Sequence, residues 1–277
     1  SNARHEDEKL PNWHTSICIK HHTNETTNRH CSDENLQMEL MYRAVFIDWD
    51  DTIGDWGQVA RKSQRELYNK YHLAEWFETP EEWFEKYNTH NTELWVRYGK
   101  NEITKDYLYL DHFLFPLCQQ IGITTDMAPQ RLREMAKKMA DEYVYLTNTY
   151  CRLMTDAEEV VRYLANKYPL TVVSNGFVEC QYHKMEHTGL LPYFKHIVLS
   201  EEVNIQKPNP QIFEKAMAMN RTEMPDLQKD EVVMIGDSYT SDIAGAKAAG
   251  IDSIWVLAGE ATDEQRKDAT YIVPHLR

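Results

Sequence analysis

The stretch Arg43-Ala44-Val45-Phe46-Ile47-Asp48-Trp49-Asp50-Asp51-Thr52 indicates the fold of this chain. It is a short apolar run without polar alternation that ends in acidic residues, which is typical of a strand buried on both faces in a parallel sheet. Four later runs share this character, at 170–174, 196–200, 232–235 and 253–257. Helix-like segments separate these later runs. The alternation predicts an α/β fold with a doubly wound, parallel, Rossmann-like sheet.

Residues 56–150 interrupt the alternation, because they contain no strand-like run. Thr79-Pro80-Glu81-Glu82 is a capping box that opens a predicted helix running to residue 98. Two more helices are predicted, one from Thr104 to just before Gly122 and one over 128–147. The sequence therefore predicts an all-helical cap domain of residues 56–150, inserted into an α/β core of residues 41–55 and 151–277. A second capping box, at Thr155–Glu158, predicts the first helix of the core after the insertion.

Residues 1–40 differ from the rest of the chain. Ser1-Asn2-Ala3 is typical of the remnant left when a protease removes a purification tag. The arm over 4–40 is polar, has no glycine, and with the remnant holds five of the twelve histidines. Three interpretations stay open: a solvated arm or upstream extension, a segment through which copies of the chain assemble into a homo-oligomer, or a zinc site. The spacing matches no closed zinc pattern; the candidate ligands are Cys18, His21, His22, His30 and Cys31.

The composition excludes several classes of partner. The 277 residues carry a net charge of −14. Duplex nucleic acid and anionic membranes are themselves negatively charged and bind clusters of Lys and Arg, so neither is expected as the main partner. No apolar run approaches the roughly 18 residues of a membrane-spanning helix. The five cysteines are widely spaced and odd in number, so no disulfide framework fits. We expect a cytoplasmic protein in a reducing compartment.

Chemically active residues follow the predicted strands. Because the carboxyl ends of parallel strands meet at one edge of a sheet, we expect these side chains to lie together. Crowded carboxylates repel one another, which raises the pKa of each. Mg²⁺, which prefers oxygen ligands, removes that repulsion when it binds between them. A cation, a lysine and a hydroxyl would hold a phosphate, and a free carboxylate could then attack the phosphorus. The residues are Asp48 and Asp50, Ser174 and Asn175, Lys207, and Asp237 and Asp242.

These residues resemble the signature motifs of a known enzyme superfamily. Asp48-x-Asp50-x-Thr52, Ser174, Lys207 and Gly236-Asp237-x4-Asp242 resemble, in order and spacing, the four signature motifs of the haloacid dehalogenase-like (HAD) hydrolase superfamily. The insertion resembles the helical cap of its first subclass. Asp50 indicates the phosphatase and phosphomutase branch, because the dehalogenases of the superfamily lack a second aspartate at that place. In those branches it supplies the proton that an alkoxide leaving group needs.

The resemblance implies a role for each residue. Asp48 would be the nucleophile, and Asp50 the general acid and base. Ser174 and Asn175 would bind the substrate, and Lys207 would stabilise both Asp48 and the transferring phosphoryl group. The implied Mg²⁺ ligands are Asp48, Asp50 through its backbone carbonyl, Asp237 and Asp242.

A closer resemblance is to the nucleotidase subgroup that prefers pyrimidine and non-standard nucleoside monophosphates. It rests on the cap segment 91–104, on Ser174-Asn175-Gly176-Phe177, and on 200–203 leading to Lys207-Pro208-Asn209. Asn204 departs from the glycine expected before Lys207. Trp49 is bulky for its place and is expected to shape the mouth of the site.

The sequence thus predicts a Mg²⁺-dependent phosphomonoester hydrolase with an aspartyl-phosphate intermediate. Its partner would be a small phosphorylated metabolite, with a nucleoside 5'-monophosphate as the first choice. Alternatives are a sugar-phosphate or phosphoglycolate phosphatase, a β-phosphoglucomutase-like phosphotransferase, and, in another class, a non-catalytic phospho-ligand binding or assembly protein. Most cap aromatics are expected to form its core, which leaves one or two to stack on a nucleobase.

Overall fold

The computed structural model describes residues 42–277, and six parallel strands form its centre. The sheet order is β3-β2-β1-β4-β5-β6, so the direction of winding reverses between β1 and β4. Ile47 at the end of β1 lies opposite Val172 of β2 and Ile235 of β4, which brings the carboxyl ends of these three strands together. The strands are β1 (Ala44–Ile47), β2 (Leu170–Ser174), β3 (His196–Leu199), β4 (Val232–Gly236), β5 (Asp252–Val256) and β6 (Tyr271–Val273).

Four α-helices lie between β1 and residue 150 and form the cap. They are α1 (Trp56–Lys70), α2 (Pro80–Gly99), α3 (Lys105–Gln120) and α4 (Gln130–Thr149). Two begin as predicted, since the Thr79 hydroxyl accepts a hydrogen bond from the Glu82 amide and the Thr104 hydroxyl accepts one from the Tyr107 amide. Helix α1 was not predicted as a separate element. We propose that the cap comprises residues 56–150 and that the α/β core comprises the residues on either side of it.

The remaining α-helices follow the cap in the chain. They are α5 (Ala157–Lys167), α6 (Val178–His187), α7 (Ser200–Val203), α8 (Pro210–Arg221), α9 (Ala244–Ala249) and α10 (Asp263–Arg266). The expected capping box at Thr155 is wrong. Asp156 occupies the N-cap position of α5 in a left-handed conformation, with φ of 64°, and no side-chain cap bond forms. A π-helical turn over Tyr239–Ile243 leads into α9.

Both faces of the sheet are covered, which explains the unbroken apolar run of β1. Successive side chains of a strand point to opposite faces. Val45 and Ile47 pack in one cluster with residues of α5 and α6, such as Val161 and Met185. Ala44 and Phe46 pack in another cluster on the opposite face, with residues of α8 and α9. The predicted α/β class with a helical cap is confirmed.

The remaining expectations concern membrane spans, the arm and Trp49. No helix among residues 42–277 is long and apolar enough to cross a bilayer. The zinc alternative and the proposed assembly through the arm both fall on residues 1–40, outside the described part of the chain. Trp49 does not shape the mouth of the site, because its side chain is fully buried and its ring packs edge-on against Phe194 at 6.0 Å.

Candidate active site

A buried lysine joins two carboxylates at the carboxyl edge of the sheet. Asp48 directly follows β1, and its Oδ1 accepts a hydrogen bond from Lys207 Nζ at 2.6 Å. The same ammonium donates to Asp242 Oδ1 at 2.7 Å. Burial raises the pKa of Asp48, and the Lys207 charge opposes that rise. Burial alone would lower the pKa of Lys207, but Asp242 and Asp48 outweigh it and raise the pKa. Lys207 therefore stays charged beside Asp48.

Asn175 fixes the backbone of Lys207. Its Nδ2 donates to the Lys207 carbonyl at 3.0 Å, and its Oδ1 accepts from the Lys207 amide at 2.8 Å. The Lys207–Pro208 peptide that follows is cis. Nearby Asn204 stands where glycine was expected and has φ of 52°, a left-handed conformation that Asn adopts more readily than most residues. The substrate-binding role of Asn175 remains a prediction, since these contacts assign its amide to the loop that carries Lys207.

Three carboxylates fit a divalent cation. Oxygen atoms of Asp48, Asp237 and Asp242 all lie within 4.8 Å of one another. Burial, followed by the charges of Asp242 and Asp51, raises the pKa of Asp237 to about 7. The nearby lysine supplies only one positive charge to this group, and oxygen ligands suit Mg²⁺, so the donor set matches that ion. Both oxygens of Asp242 already accept hydrogen bonds, one from Lys207 and one from the Ser238 amide at 3.0 Å. Asp48 and Asp237 are the more available ligands.

Asp50 is held by helix α6, in a way that the sequence did not reveal. Lys184 Nζ donates to its Oδ1 at 2.6 Å, and Gln181 Nε2 donates to its Oδ2 at 2.9 Å. Gln181 Nε2 also lies 2.6 Å from the Ser174 hydroxyl, so one amide connects the two predicted site residues. Lys184 Nζ lies 4.3 Å from the centre of the Trp56 ring at the start of the cap. The Asp50 carboxylate stands apart from the three-carboxylate cluster.

A cavity of about 200 Å³ separates these residues from the cap. The core supplies Asp48, Asp50, Ser174, Asn175 and Lys207 to its wall, so five of the predicted site residues share one space. Asp237 and Asp242 lie behind this wall, around Asp48 and Lys207. The opposite wall comes from the cap and includes Trp56, Tyr87, Asn91, Trp95, Tyr109, His112 and Tyr143.

Phe177 and Lys105 connect the cap to the core beside the cavity. The Phe177 ring lies 4.9 Å from the ring of Trp95 and 5.2 Å from that of Tyr109, measured between centres. Lys105 of α3 forms salt bridges at 2.8 Å with Glu179 and Glu201 of the core. These contacts join the cap to the core next to Phe177, which lines the cavity.

Comparisons with known proteins agree with this geometry. A family model described as haloacid dehalogenase-like hydrolase matches residues 45–256. Pyrimidine 5'-nucleotidase YjjG of Escherichia coli is 29% identical over 193 residues, which cover 70% of this chain and 79% of YjjG. A glyceraldehyde 3-phosphate phosphatase of Pyrococcus furiosus is 27% identical over 245 residues, 84% of this chain and 90% of that protein.

A solved structure is similar over most of the chain. The HAD-hydrolase YfnB of Bacillus subtilis, in a crystal form bound to magnesium, aligns with a TM-score of 0.70 at 25% identity. The alignment covers 85% of this chain and 96% of that one, so it includes both the sheet and the cap.

Proposed function

The chain belongs to the haloacid dehalogenase-like hydrolase family, and on that premise we propose that it is a Mg²⁺-dependent phosphomonoester hydrolase. The observation that carries this proposal is the buried Lys207, which contacts both Asp48 and Asp242 in a cavity shared with Ser174 and Asp50. A nucleophilic carboxylate, a fixed cation and a second carboxylate two residues away are the groups that phosphoester cleavage needs.

In the first half of the proposed reaction, an oxygen of Asp48 attacks the phosphorus. The bond between phosphorus and the ester oxygen breaks, and Asp50 gives its proton to that leaving oxygen. In the second half, Asp50 takes a proton from water, whose oxygen attacks the phosphorus. Inorganic phosphate leaves and the Asp48 carboxylate is restored. Lys207 balances the charge of the transferring phosphoryl group throughout, and the Ser174 hydroxyl donates a hydrogen bond to it.

Mg²⁺ would be held by the carboxylates of Asp48 and Asp237, with Asp242 behind them and the backbone carbonyl of Asp50 completing the set. When bound, it neutralises charge on the phosphoryl oxygens. The cap would exclude water while Asp48 attacks, through the contacts of Phe177 and Lys105 with their partners across the cavity.

The proposed substrate is a nucleoside 5'-monophosphate. The similarity to YjjG supports a nucleotide, and the aromatic wall formed by Trp95 and Tyr109 suits a planar base. We also propose a reducing, cytoplasmic location, because the three cysteines of the described residues are free.

A sugar phosphatase is the second candidate, because the Pyrococcus phosphatase is nearly as similar as YjjG. A mutase with the same Asp48 and Asp50 would return the phosphoryl group to a sugar instead of releasing it. A binding protein without catalysis is disfavoured, because such a protein has no need for a nucleophile beside a buried lysine.

The test is phosphate release from matched nucleotide and sugar monophosphates, with Mg²⁺ or EDTA, by the wild-type chain and by Asp48→Asn. We expect Mg²⁺-dependent release that ranks nucleotides above sugar phosphates and is lost in the variant. Release from sugar phosphates alone would favour the second candidate. An unchanged rate in Asp48→Asn would refute the mechanism.

A further inference from the structure

Several buried polar atoms of the cap have no hydrogen-bond partner, and those of cavity-lining residues include the Tyr143 hydroxyl. Two others are Oδ1 of Asn91 on α2 and Nε2 of His112 on α3. Buried polar groups of native proteins nearly always have hydrogen-bond partners, since an unpaired group has lost its water without compensation. Both residues line the cavity that faces Asp48. A molecule in the cavity could therefore supply the partners that the protein does not.

The two residues approach the cavity together. Tyr87 precedes Asn91 by one helical turn, so their side chains share a face of α2. The Tyr87 ring meets the His112 ring edge-on, with 5.7 Å between their centres. The neighbouring acid Asp111 is paired instead with His90, at 2.9 Å from His90 Nε2. Asn91 and His112 thus present an amide and an imidazole to one region of the cavity.

His112 is suited to an uncharged ligand group. Burial, and then the charge of His90, lower the pKa of His112 to about 3. The ring is therefore neutral at physiological pH, with one nitrogen as donor and the other as acceptor. A phosphate would call for a cation, and Lys207 on the opposite wall already supplies one. His112 matches the end of a substrate that lies away from its phosphate.

The surrounding wall suits a planar ring. Trp95 and Tyr109 both pack against Phe177, and all three line the same cavity. Aromatic faces stack favourably on heterocyclic bases. An aliphatic sugar could satisfy polar atoms but would not stack on an aromatic wall of this kind.

We propose that Asn91 and His112 determine substrate specificity by binding the uncharged donor and acceptor edge of a heterocyclic base. The inference deepens the proposed function, on which it rests for the phosphate end of the substrate. Residues of the cap alone support the binding of the base at the other end of the substrate. The amide-like edge of a pyrimidine offers both hydrogen-bonding types, which is what a neutral imidazole and an amide need.

The test uses uridine, which has the base but no phosphate, in calorimetric titrations of the full chain. We expect His112→Leu and Asn91→Ala each to weaken uridine binding by about ten- to hundredfold, because the base edge then lacks a partner. His112→Gln should restore part of the affinity. The loss should be larger for uridine than for ribose 5-phosphate, which has no base. Exposed His187 of α6 provides the control His187→Leu, and thermal unfolding checks that each variant is folded.

The outcomes distinguish a failure of base recognition by Asn91 and His112 from a failure of the proposed phosphatase activity. Uridine binding that is absent in the wild type, or unchanged in both variants, would overturn this inference. Equal losses for uridine and ribose 5-phosphate would overturn it too. If nucleotides still release phosphate in those cases, the proposed function stands. If uridine binding depends on both residues but no substrate releases phosphate, the inference stands and the proposed function fails.

Discussion

His112 should make the protein less stable in mild acid. Its pKa is lowered from 6.5 to about 3, first by burial and then by the charge of His90. The unfolded chain therefore binds a proton at His112 as the pH falls below about 6.5, whereas the folded chain does not. The stabilising contribution is fully present above that pH and is lost progressively between about 6.5 and 3. One pKa unit corresponds to about 1.4 kcal/mol, so the loss from pH 7 to pH 5 is about 2 kcal/mol.

The assay is urea unfolding of the wild type and of His112→Gln at pH 7 and pH 5. The wild type should lose about 2 kcal/mol more of its unfolding free energy than the variant does. Comparing the two proteins cancels the contributions of other groups, including the His90–Asp111 pair beside the ring. His187→Gln is the control, since that exposed ring is in water in both states. Equal pH dependence in the wild type and His112→Gln would show that His112 does not remain neutral in the folded protein at pH 5.

Three further predictions concern the active site. Lys207→Met should cost about 3–5 kcal/mol in urea unfolding, because it leaves two buried carboxylates unpaired; an unchanged stability would contradict the ion pairs described here. Asp237→Asn should abolish the rise in melting temperature that added Mg²⁺ gives the wild type, and a full rise in the variant would exclude Asp237 as a ligand. Lys184→Met should lower the rate of phosphate release by about ten- to hundredfold, since Asp50 loses a fixed partner, whereas a wild-type rate would show that this contact has no catalytic role.

The strands and the main site residues were predictable from the sequence. A strand buried on both faces is apolar at every position, as β1 is, so it can be identified from its sequence pattern alone. The residues that follow each strand then converge because parallel strands end at one edge. Asp48, Ser174 and Lys207 share the cavity for that reason.

Helix α1 was missed because its buried face contains polar residues. Ser63 and Gln64 are fully buried there, between apolar Val59 and Leu67. Gln64 Oε1 accepts a hydrogen bond from the buried indole of Trp83 at 2.8 Å. This partner comes from another helix, and periodicity within α1 gives no sign of it.

The support for Asp50 was missed for a similar reason. Lys184 and Asp50 are 134 positions apart in the chain, and the pairing depends on how α6 packs over the sheet edge. Three other residues of α6 with reactive side chains are Cys180, His183 and His187. Cys180 lines the cavity, whereas the rings of His183 and His187 stack on each other at 5.7 Å.

The central claim is that Asp48 accepts the phosphoryl group from the substrate. The most direct measurement is mass spectrometry of the chain after acid quenching during turnover of a nucleoside 5'-monophosphate with Mg²⁺. We expect one added phosphoryl group, sensitive to hydroxylamine, on the peptide that contains Asp48, and no such adduct in Asp48→Asn. Continued phosphate release without any adduct, or an adduct on another residue, would contradict it.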